Sequence, residues 1–179
     1  MLIVRLSIRL GAVQNPFWSE FRIQKMTDQK KEKVISKEKA VFWLDKHGFW
    51  HNEHGKFQHK KIIDYFHTSI NRDRDGYFLS QENEQFIEKV YFPHEDTALF
   101  VFNVIPGEEI VLVLNTKKQI KLDPEKLFMQ NDSLYMHFGN EIIKFAEHGL
   151  LKIADLMENE DDRYFIRVKN KRYEVKRRD

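Results

Sequence analysis

The fold is decided by residues 50–79, WHNEHGKFQHKKIIDYFHTSINRDRDGYFL, because their pattern occurs a second time in the chain. The first copy has an aromatic strand, a glycine turn, a helix, an aspartate-rich turn and a second strand. Residues 135–166 repeat this order in a weaker form: Gly55 and Gly139 are 84 positions apart, and Asp73 and Asp161 are 88 apart. A nearly constant offset is typical of a structural repeat. The sequence therefore predicts a duplicated β-turn-α-β unit.

Helical periodicity follows the glycine in both copies. Ile62, Ile63 and Phe66 recur at helical spacing in the first, which places them on one face of an amphipathic helix. Leu150 and Leu151 do the same in the second. Five apolar segments with turn signals between them, and a terminal hairpin turning near Asn170, predict strands. The five segments are residues 86–92, 99–105, 109–114, 119–122 and 127–130. The predicted class is α+β with a strand-rich middle.

Composition excludes several classes of protein. The chain has 179 residues, of which 41% are hydrophobic, so it can bury one core or two small ones. Thirty basic residues nearly cancel 28 acidic ones, so no global field favours nucleic acid or a membrane. There is no cysteine, which excludes disulfides and thiolate sites and favours a cytoplasmic location.

The N-terminal region looks different from the rest. Residues 2–10 are apolar but contain Arg5 and Arg9, and the run is too short to span a membrane. Residues 26–39 are hydrophilic and of the kind that stays solvated. We therefore predict an N-terminal extension over residues 1–39, either disordered or upstream of a true start at Met26. An extra strand within residues 1–25 is the alternative. The two α+β copies are then expected at residues 40–103 and 104–179.

A calcium-loop spacing occurs at the end of the first copy. Oxygen ligands and a turn glycine stand at the required positions, in Asn71, Asp73, Asp75, Gly76 and Glu82. However, the first ligand is not aspartate, and a strand replaces the exiting helix. A charged turn with a positive φ at the glycine is the favoured interpretation.

Three other candidate chemistries can be stated. The histidines could hold a metal, but their spacing matches no standard site and surface histidines are favoured. They are His47, His51, His54 and His59.

Glu88, His94 and Asp96 could form an acid-base cluster of a hydrolase, although no common nucleophile or phosphate motif is present. Aromatics alternate with cations in residues 163–178, which suits single-stranded nucleic acid or, as we favour, a charged edge hairpin.

With these residues placed, the chain resembles the bacterial family called domain of unknown function 1285 over residues 40–168. The resemblance rests on residues 45–50, the helix through Phe66, the run 72–77 with Leu79, residues 88–90 with 95–96, and residues 141–157. It implies two similar α+β domains, the second like a pleckstrin-homology fold. It also implies a cleft between them for a nucleotide-like ligand with a signalling role, and no established catalysis.

The chain departs from the family pattern in three places. The tract between Leu79 and Glu88 is longer, the run after Glu95 differs, and Glu147 stands where an arginine is usual. If that arginine contacts an anionic ligand, this chain binds something different or nothing.

We therefore expect a non-catalytic, cytoplasmic ligand-binding or regulatory protein with its site between the two copies. Three cations would meet an anion there and a tyrosine would stack on a base. The candidate residues are Arg72, Asp75, Tyr77, Glu88, Lys89, Asn115 and Lys117. The motifs indicate no particular cofactor, no membrane partner and no preferred oligomeric state.

Overall fold

The protein is described by a computed structural model that covers residues 31–82 and 85–178. It has two helices, α1 (Lys60–Thr68) and α2 (Glu147–Ala154), and short 3₁₀ helices at Lys37–Lys39 and Pro124–Lys126. The first strands are β1 (Lys31–Ile35), β2 (Phe42–Leu44), β3 (Trp50–Asn52), β4 (Gly55–Lys56), β5 (Ile70–Asp73), β6 (Gly76–Glu82), β7 (Phe86–Tyr91) and β8 (Phe100–Ile105). The remaining strands are β9 (Val111–Leu114), β10 (Gln119–Lys121), β11 (Leu127–Gln130), β12 (Ser133–Phe138), β13 (Glu141–Phe145), β14 (Met157–Glu160), β15 (Arg163–Val168) and β16 (Lys171–Arg177). This is the expected α+β class with a strand-rich middle. Neither helix of the described chain has the length and apolarity needed to cross a membrane.

The second half of the chain forms one large sheet. Its nine strands lie in the order β10-β9-β8-β13-β12-β11-β16-β15-β14. Two-residue turns close three of its hairpins, and both turn residues have positive φ in each, including 50° and 61° at Lys169 and Asn170. Such turns match the twist of the flanking strands. The terminal hairpin predicted to turn near Asn170 is therefore confirmed.

The first half is divided between two smaller sheets. One has the order β1-β7-β6-β5, the other β2-β3-β4, and α1 lies with them around a core that includes Leu44, Trp50 and Phe66. Rings of this core meet edge to face, as in the Trp50–Phe66 pair with centroids 5.3 Å apart.

The two cores meet on β8. Phe100 belongs to the first core and Val101 to the second, and both are fully buried. Adjacent residues of a strand point to opposite faces, so a single strand serves both halves. The boundary expected at residues 103 and 104 lies within this strand.

The element order of the two predicted copies is the same. Each contains a hairpin, a helix and a second hairpin: β3, β4, α1, β5 and β6 in the first, and β12, β13, α2, β14 and β15 in the second. The aspartates do not correspond one to one, however. Asp73 ends β5 opposite Gly76, whereas Asp161 and Asp162 are themselves the turn, with φ of 51° and 60°. The residue at the position equivalent to Asp73 is Glu160, which ends β14 opposite Arg163.

The region expected to be an extension contains structure. Lys31–Ile35 forms β1, which pairs in parallel with β7, from Lys31 opposite Phe86 to Ile35 opposite Val90. Its charged side chains suggested solvation, but Lys33 pairs with Glu88 at 2.8 Å, and charged residues are usual on an edge strand. These residues are therefore an ordered strand, and the bounds of the N-terminal extension stay a prediction. The proposals about residues 1–25 and Met26 lie outside the described residues.

Candidate ligand-binding cleft

A cleft of about 640 Å³ lies between the two halves. The first half contributes the turn between β2 and β3, and the second contributes β8 and the junction of β13 with α2. Its walls are formed by Lys46, His47, Phe49, Phe100, Phe102, Ser133, Lys144, Phe145, Ala146, Glu147, His148 and Leu150. A volume of this size is typical of small-molecule sites.

Asp45 shapes the first wall. Its Oδ1 accepts hydrogen bonds from the backbone N–H groups of His47 at 2.9 Å and Phe49 at 2.8 Å, and its Oδ2 lies 2.8 Å from His51 Nε2. Partial burial opposes ionisation, but the hydrogen bonds from Phe49, His51 and His47 outweigh it and lower the pKa of Asp45. Gly48 has φ +83°, and a Cβ there would lie 3.1 Å from the ring of Phe100. The turn is thus fixed in shape.

A buried lysine joins the two walls. Lys144, 8% exposed, donates to the backbone carbonyl of Lys46 at 2.9 Å and to Asp96 Oδ2 at 2.8 Å. Tyr135 also donates to Asp96, at 2.7 Å. Burial lowers the pKa of Lys144, but Asp96 and Tyr135 together outweigh it and raise this pKa, so the ammonium stays charged. Because its charge is matched by Asp96, Lys144 orders the cleft more than it attracts a ligand.

The start of α2 forms the second wall. Ala146 provides no side-chain cap for this helix, so the first backbone N–H groups remain available to an acceptor in the cleft. Gly149 lets the helix approach β8, since a Cβ there would overlap the carbonyl oxygen of Val101. The exposed polar groups at the mouth are Lys46, His47, Glu147 and His148.

No family model matches the chain, and no curated protein matches it. A solved structure of a DUF1285 family protein from Silicibacter pomeroyi DSS-3 is similar, with a TM-score of 0.54 and 13% identity over 82% of this chain and 84% of that one. A DUF1285 family protein from Shewanella baltica OS155 also matches, with a TM-score of 0.45 and 15% identity over 64% of this chain and 91% of that one.

The chain has a DUF1285-like fold. The first of these structures supports that statement, and at 13% identity it concerns the fold alone. The resemblance predicted from residues 40–168 is confirmed at that level.

Arg72 and Tyr77 do lie between the halves, but they are paired with a residue that the sequence did not single out. Both contact the carboxylate of Glu141 on β13. Burial raises the pKa of Tyr77, and the Glu141 carboxylate raises it further. These groups therefore fasten one half to the other and do not line the cleft. Asp75 lies in the turn beside them, its N–H bonded to Asp73 Oδ1 at 2.9 Å.

Glu88 and Lys89 are neighbours on β7 and so point to opposite faces of the sheet. Glu88 faces a second cavity within the first half. Lys89 is on the outer face, where it pairs with Asp73, and Tyr91 donates to the same Asp73 oxygen at 2.8 Å. Lys89 lowers the pKa of Asp73 to about 2. The expected convergence of Arg72, Lys89 and Lys117 on one anion is therefore absent.

Asn115 is inside the protein, 1% exposed. Its Oδ1 accepts from the N–H of Phe100 at 3.2 Å, and its Nδ2 lies 3.0 Å from the carbonyl of Ala98 and 3.2 Å from His67 Nδ1. Trp50 Nε1 reaches the same His67 atom at 3.3 Å. Lys117 follows in the turn after β9, with φ 67°. Neither Asn115 nor Lys117 lines the cleft.

The calcium-loop residues form a hairpin and do not surround a point. Asn71 pairs with Phe78, whereas Glu82 lies four residues further along β6, about 13 Å away at the rise of a strand. Asp73 is already bound to Lys89. Among the described residues, no group of three or more histidine or acidic side chains could hold a metal ion.

The four histidines and the acidic cluster are also dispersed. His47 lines the cleft, His51 binds Asp45, and His54 and His59 line the second cavity. His94 Nδ1 contacts the backbone carbonyl of Asp96 at 3.2 Å and not its carboxylate. Because Glu88 faces elsewhere, these three residues form no acid-base unit.

Two arginines of the terminal hairpin form ion pairs with glutamates of β14. Arg172 lies 3.6 Å from the ring centre of Phe165 and pairs with Glu158 and Glu160. Arg167 also pairs with Glu158. The hairpin is not at the edge of the sheet, as was expected, because β16 also pairs with β11 and β15 with β14. The pairing of Arg167 and Arg172 with glutamates still speaks against nucleic-acid binding, since it neutralises two of the cations.

The sequence missed most of the cleft. Lys46, Phe102 and His148 were not singled out as site residues. Among the lining residues, His47 stood out as one member of a histidine group, and Glu147 stood out as the residue that replaces the arginine of the family pattern. The available signal was the turn itself, in which Asp45 precedes a glycine by three residues before an aromatic.

Proposed function

We propose that this is a non-catalytic, cytoplasmic ligand-binding protein that takes a nucleotide-like anion in the cleft, with a regulatory or signalling role. One observation carries the proposal: exposed groups that can donate hydrogen bonds to an anion, Lys46 and His47 from one half and His148 from the other, face one cleft of about 640 Å³. The uncapped start of α2 adds a favourable potential for an anion. Phe49 and Phe102 offer aromatic surface for a base.

Glu147 modifies the specificity of such a site. It stands in the same wall as His148, and a carboxylate repels a fully charged phosphate at short range. A ligand with a low negative charge, such as a nucleoside monophosphate or a cyclic nucleotide, therefore suits the cleft better than a triphosphate.

The origin of the cleft is part of the proposal. We take the two halves to be copies of one hairpin–helix–hairpin unit, the second elaborated towards a pleckstrin-homology-like fold. The identical order of elements supports this. Superposing residues 50–82 on residues 133–168 in a crystal structure tests it: paired hairpins and helices should coincide.

A thermal-unfolding screen of nucleotides on the full-length protein tests the function. At a concentration 100 times its Kd, a ligand of the native state adds about 2.7 kcal/mol to the free energy of unfolding. Lys46→Glu should remove most of this stabilisation, and Glu147→Gln should increase it for phosphorylated ligands.

Two variants serve as controls. Lys61→Glu makes the same charge change on the exposed side of α1 and should leave binding unaltered. Lys117→Glu tests the residue expected from sequence: if it abolishes binding while Lys46→Glu does not, the ligand lies outside the cleft. If no nucleotide shifts the melting temperature at millimolar concentration, the nucleotide proposal is wrong.

A further inference from the structure

A second cavity, of about 760 Å³, lies inside the first half. It opens to solvent and is bordered by the three-stranded sheet, α1 and the four-stranded sheet. Its interior is largely apolar and aromatic, with Phe42, Phe57, Ile62, Phe66, Phe86 and Val90 among the lining residues. The cavity is larger than the cleft between the halves and shares no lining residue with it.

The sheets leave this space because they do not join. Strands β3 and β4 pair with β2, whereas β5 and β6 pair with β7, so α1 covers two separate sheets. Its apolar face is only partly used: Ile62 and Ile63 are half-buried, and Phe57 beside them is half-buried too. Apolar side chains that line an open cavity favour contact with an apolar molecule over contact with water.

The wall of the cavity is positively charged. Three lysines contribute this charge, Lys33, Lys39 and Lys56, and two histidines, His54 and His59, lie beside them. Glu88 is the one carboxylate among the described lining residues, and Lys33 balances it at 2.8 Å. Lys39 and Lys56 form no ion pair with any carboxylate in the described ranges. The uncompensated charge of the cavity is therefore positive.

From this arrangement we propose that the cavity binds a single-chain anionic amphiphile, a medium-length fatty acid or a comparable acyl carboxylate. The acyl chain lies among Phe42, Ile62 and Phe66, and the carboxylate lies at Lys39 and Lys56. An apolar interior with uncompensated cations complements a molecule with one apolar end and one negative end. This ligand is distinct from the nucleotide-like anion proposed for the cleft.

Lys56 connects the two sites and is therefore a poor test residue. Its ammonium lies 3.0 Å from the ring centre of Phe49, which lines the cleft, while its side chain also lines the cavity. Lys39 and Ile62 line the cavity alone, so substitutions there report on it without disturbing the cleft.

Isothermal titration calorimetry of the full-length protein with octanoate, decanoate and dodecanoate tests the proposal. Each added methylene buried in the cavity should tighten binding about fourfold, the equivalent of about 0.8 kcal/mol. Dodecyltrimethylammonium, with the same chain and the opposite charge, should bind at least about tenfold more weakly than dodecanoate, since it meets like charge. Absence of detectable dodecanoate binding at millimolar concentration overturns the proposal, and so does equal affinity for the cation.

Three variants locate the site. Ile62→Trp fills the cavity and should abolish dodecanoate binding. Lys39→Glu should weaken binding roughly three- to tenfold, whereas Lys61→Glu, which makes the same charge change outside the cavity, should leave it unchanged. Lys39→Glu alters only an exposed side chain, so it decides the question even if Ile62→Trp fails to fold. Equal affinity in Lys39→Glu and Lys61→Glu places the ligand elsewhere and overturns the proposal.

Lys46→Glu separates the two hypotheses. It lies in the cleft and should leave dodecanoate binding intact while it removes nucleotide binding. Loss of dodecanoate binding in Lys46→Glu would mean that the fatty acid occupies the cleft, which contradicts the assignment to the cavity. The nucleotide proposal would not be affected by that result, because it depends on the nucleotide screen alone.

Discussion

The two halves of the molecule share an order of elements but close their cores differently. In the second half both hairpins belong to one nine-stranded sheet, and β11 pairs with β16 to join them. In the first half the two hairpins belong to separate sheets. The helices reflect this: Ile153 of α2 is fully buried, whereas Ile62 of α1 is half-buried beside the cavity.

The difference shows that a hairpin, a helix and a hairpin do not by themselves determine a core. Each hairpin satisfies its own backbone locally, but the partner of its outer edge comes from elsewhere in the chain. In the first half the outer edges pair with β2 and β7, and in the second they pair with β8, β11 and β16. The outcome is space for a ligand in one half and a filled core in the other.

The largest test of this contrast truncates one residue of each helix. Ile153→Ala should lower the free energy of unfolding by about 4 kcal/mol, because it opens a hole in a packed core. Ile62→Ala should cost only about 1–2 kcal/mol, because its side chain already borders empty space. Urea unfolding of both variants measures the difference. Equal losses would contradict the description of one core as filled and the other as open.

The approach of α2 to β8 can be tested next. Gly149→Val should cost about 3 kcal/mol, since its side chain would overlap the carbonyl oxygen of Val101 and force the helix away. Lys152→Val, at an exposed position of the same helix, controls for the lower helix propensity of valine and should cost about 0.5 kcal/mol. If both variants unfold at the same urea concentration, the close approach does not exist.

His67 provides a pH-dependent test of the first half. Burial lowers the pKa of His67 from 6.5 to about 4. Asp64 has a smaller effect that raises this pKa, and Lys117 has a smaller effect that lowers it. Between these values the unfolded chain binds more protons, so stability falls as the pH falls. Protonation of His67 should therefore lower the free energy of unfolding by about 2 kcal/mol between pH 7 and pH 5.

His67→Gln, which does not titrate, should show a correspondingly smaller loss between pH 7 and pH 5. Staying at pH 5 or above keeps the experiment away from the carboxylates Asp45 and Asp73, whose lowered pKa values place their stability effects at more acidic pH. Chemical unfolding at the two pH values checks this, and parallel losses in both proteins would mean that His67 is accessible to protons.

The sequence predicted local structure well. The periodicity of Ile62, Ile63 and Phe66 located α1, and the turn near Asn170 located the last hairpin, because both depend on neighbouring residues. It missed β1, because a parallel edge strand is held by a partner more than fifty residues away, as in the Lys33–Glu88 pair.

The candidate site was harder to predict for the same reason. Side-chain direction alternates along β7, so Glu88 and Lys89 lie on opposite faces of the sheet. Asn115 lies inside the protein and cannot reach the cleft. A single sequence shows that these residues are polar, but not which face of which sheet they occupy. Glu141, which binds Arg72 and Tyr77 from the other half, carried no signal, since its partners are far away in the chain.

The smallest expected effect concerns the join between the halves. Glu141→Gln weakens the pairing with Arg72 and should lower the free energy of unfolding by less than about 1 kcal/mol, because the Arg72 side chain is 43% exposed and its charge is screened by solvent. The loss should shrink as salt is added. Glu125→Gln, at an exposed position outside this join, is the matched control and should have no effect. A loss above about 3 kcal/mol in urea unfolding would show instead that Glu141 acts as a buried charge, and that the halves are joined at this point as firmly as at Lys144 and Asp96.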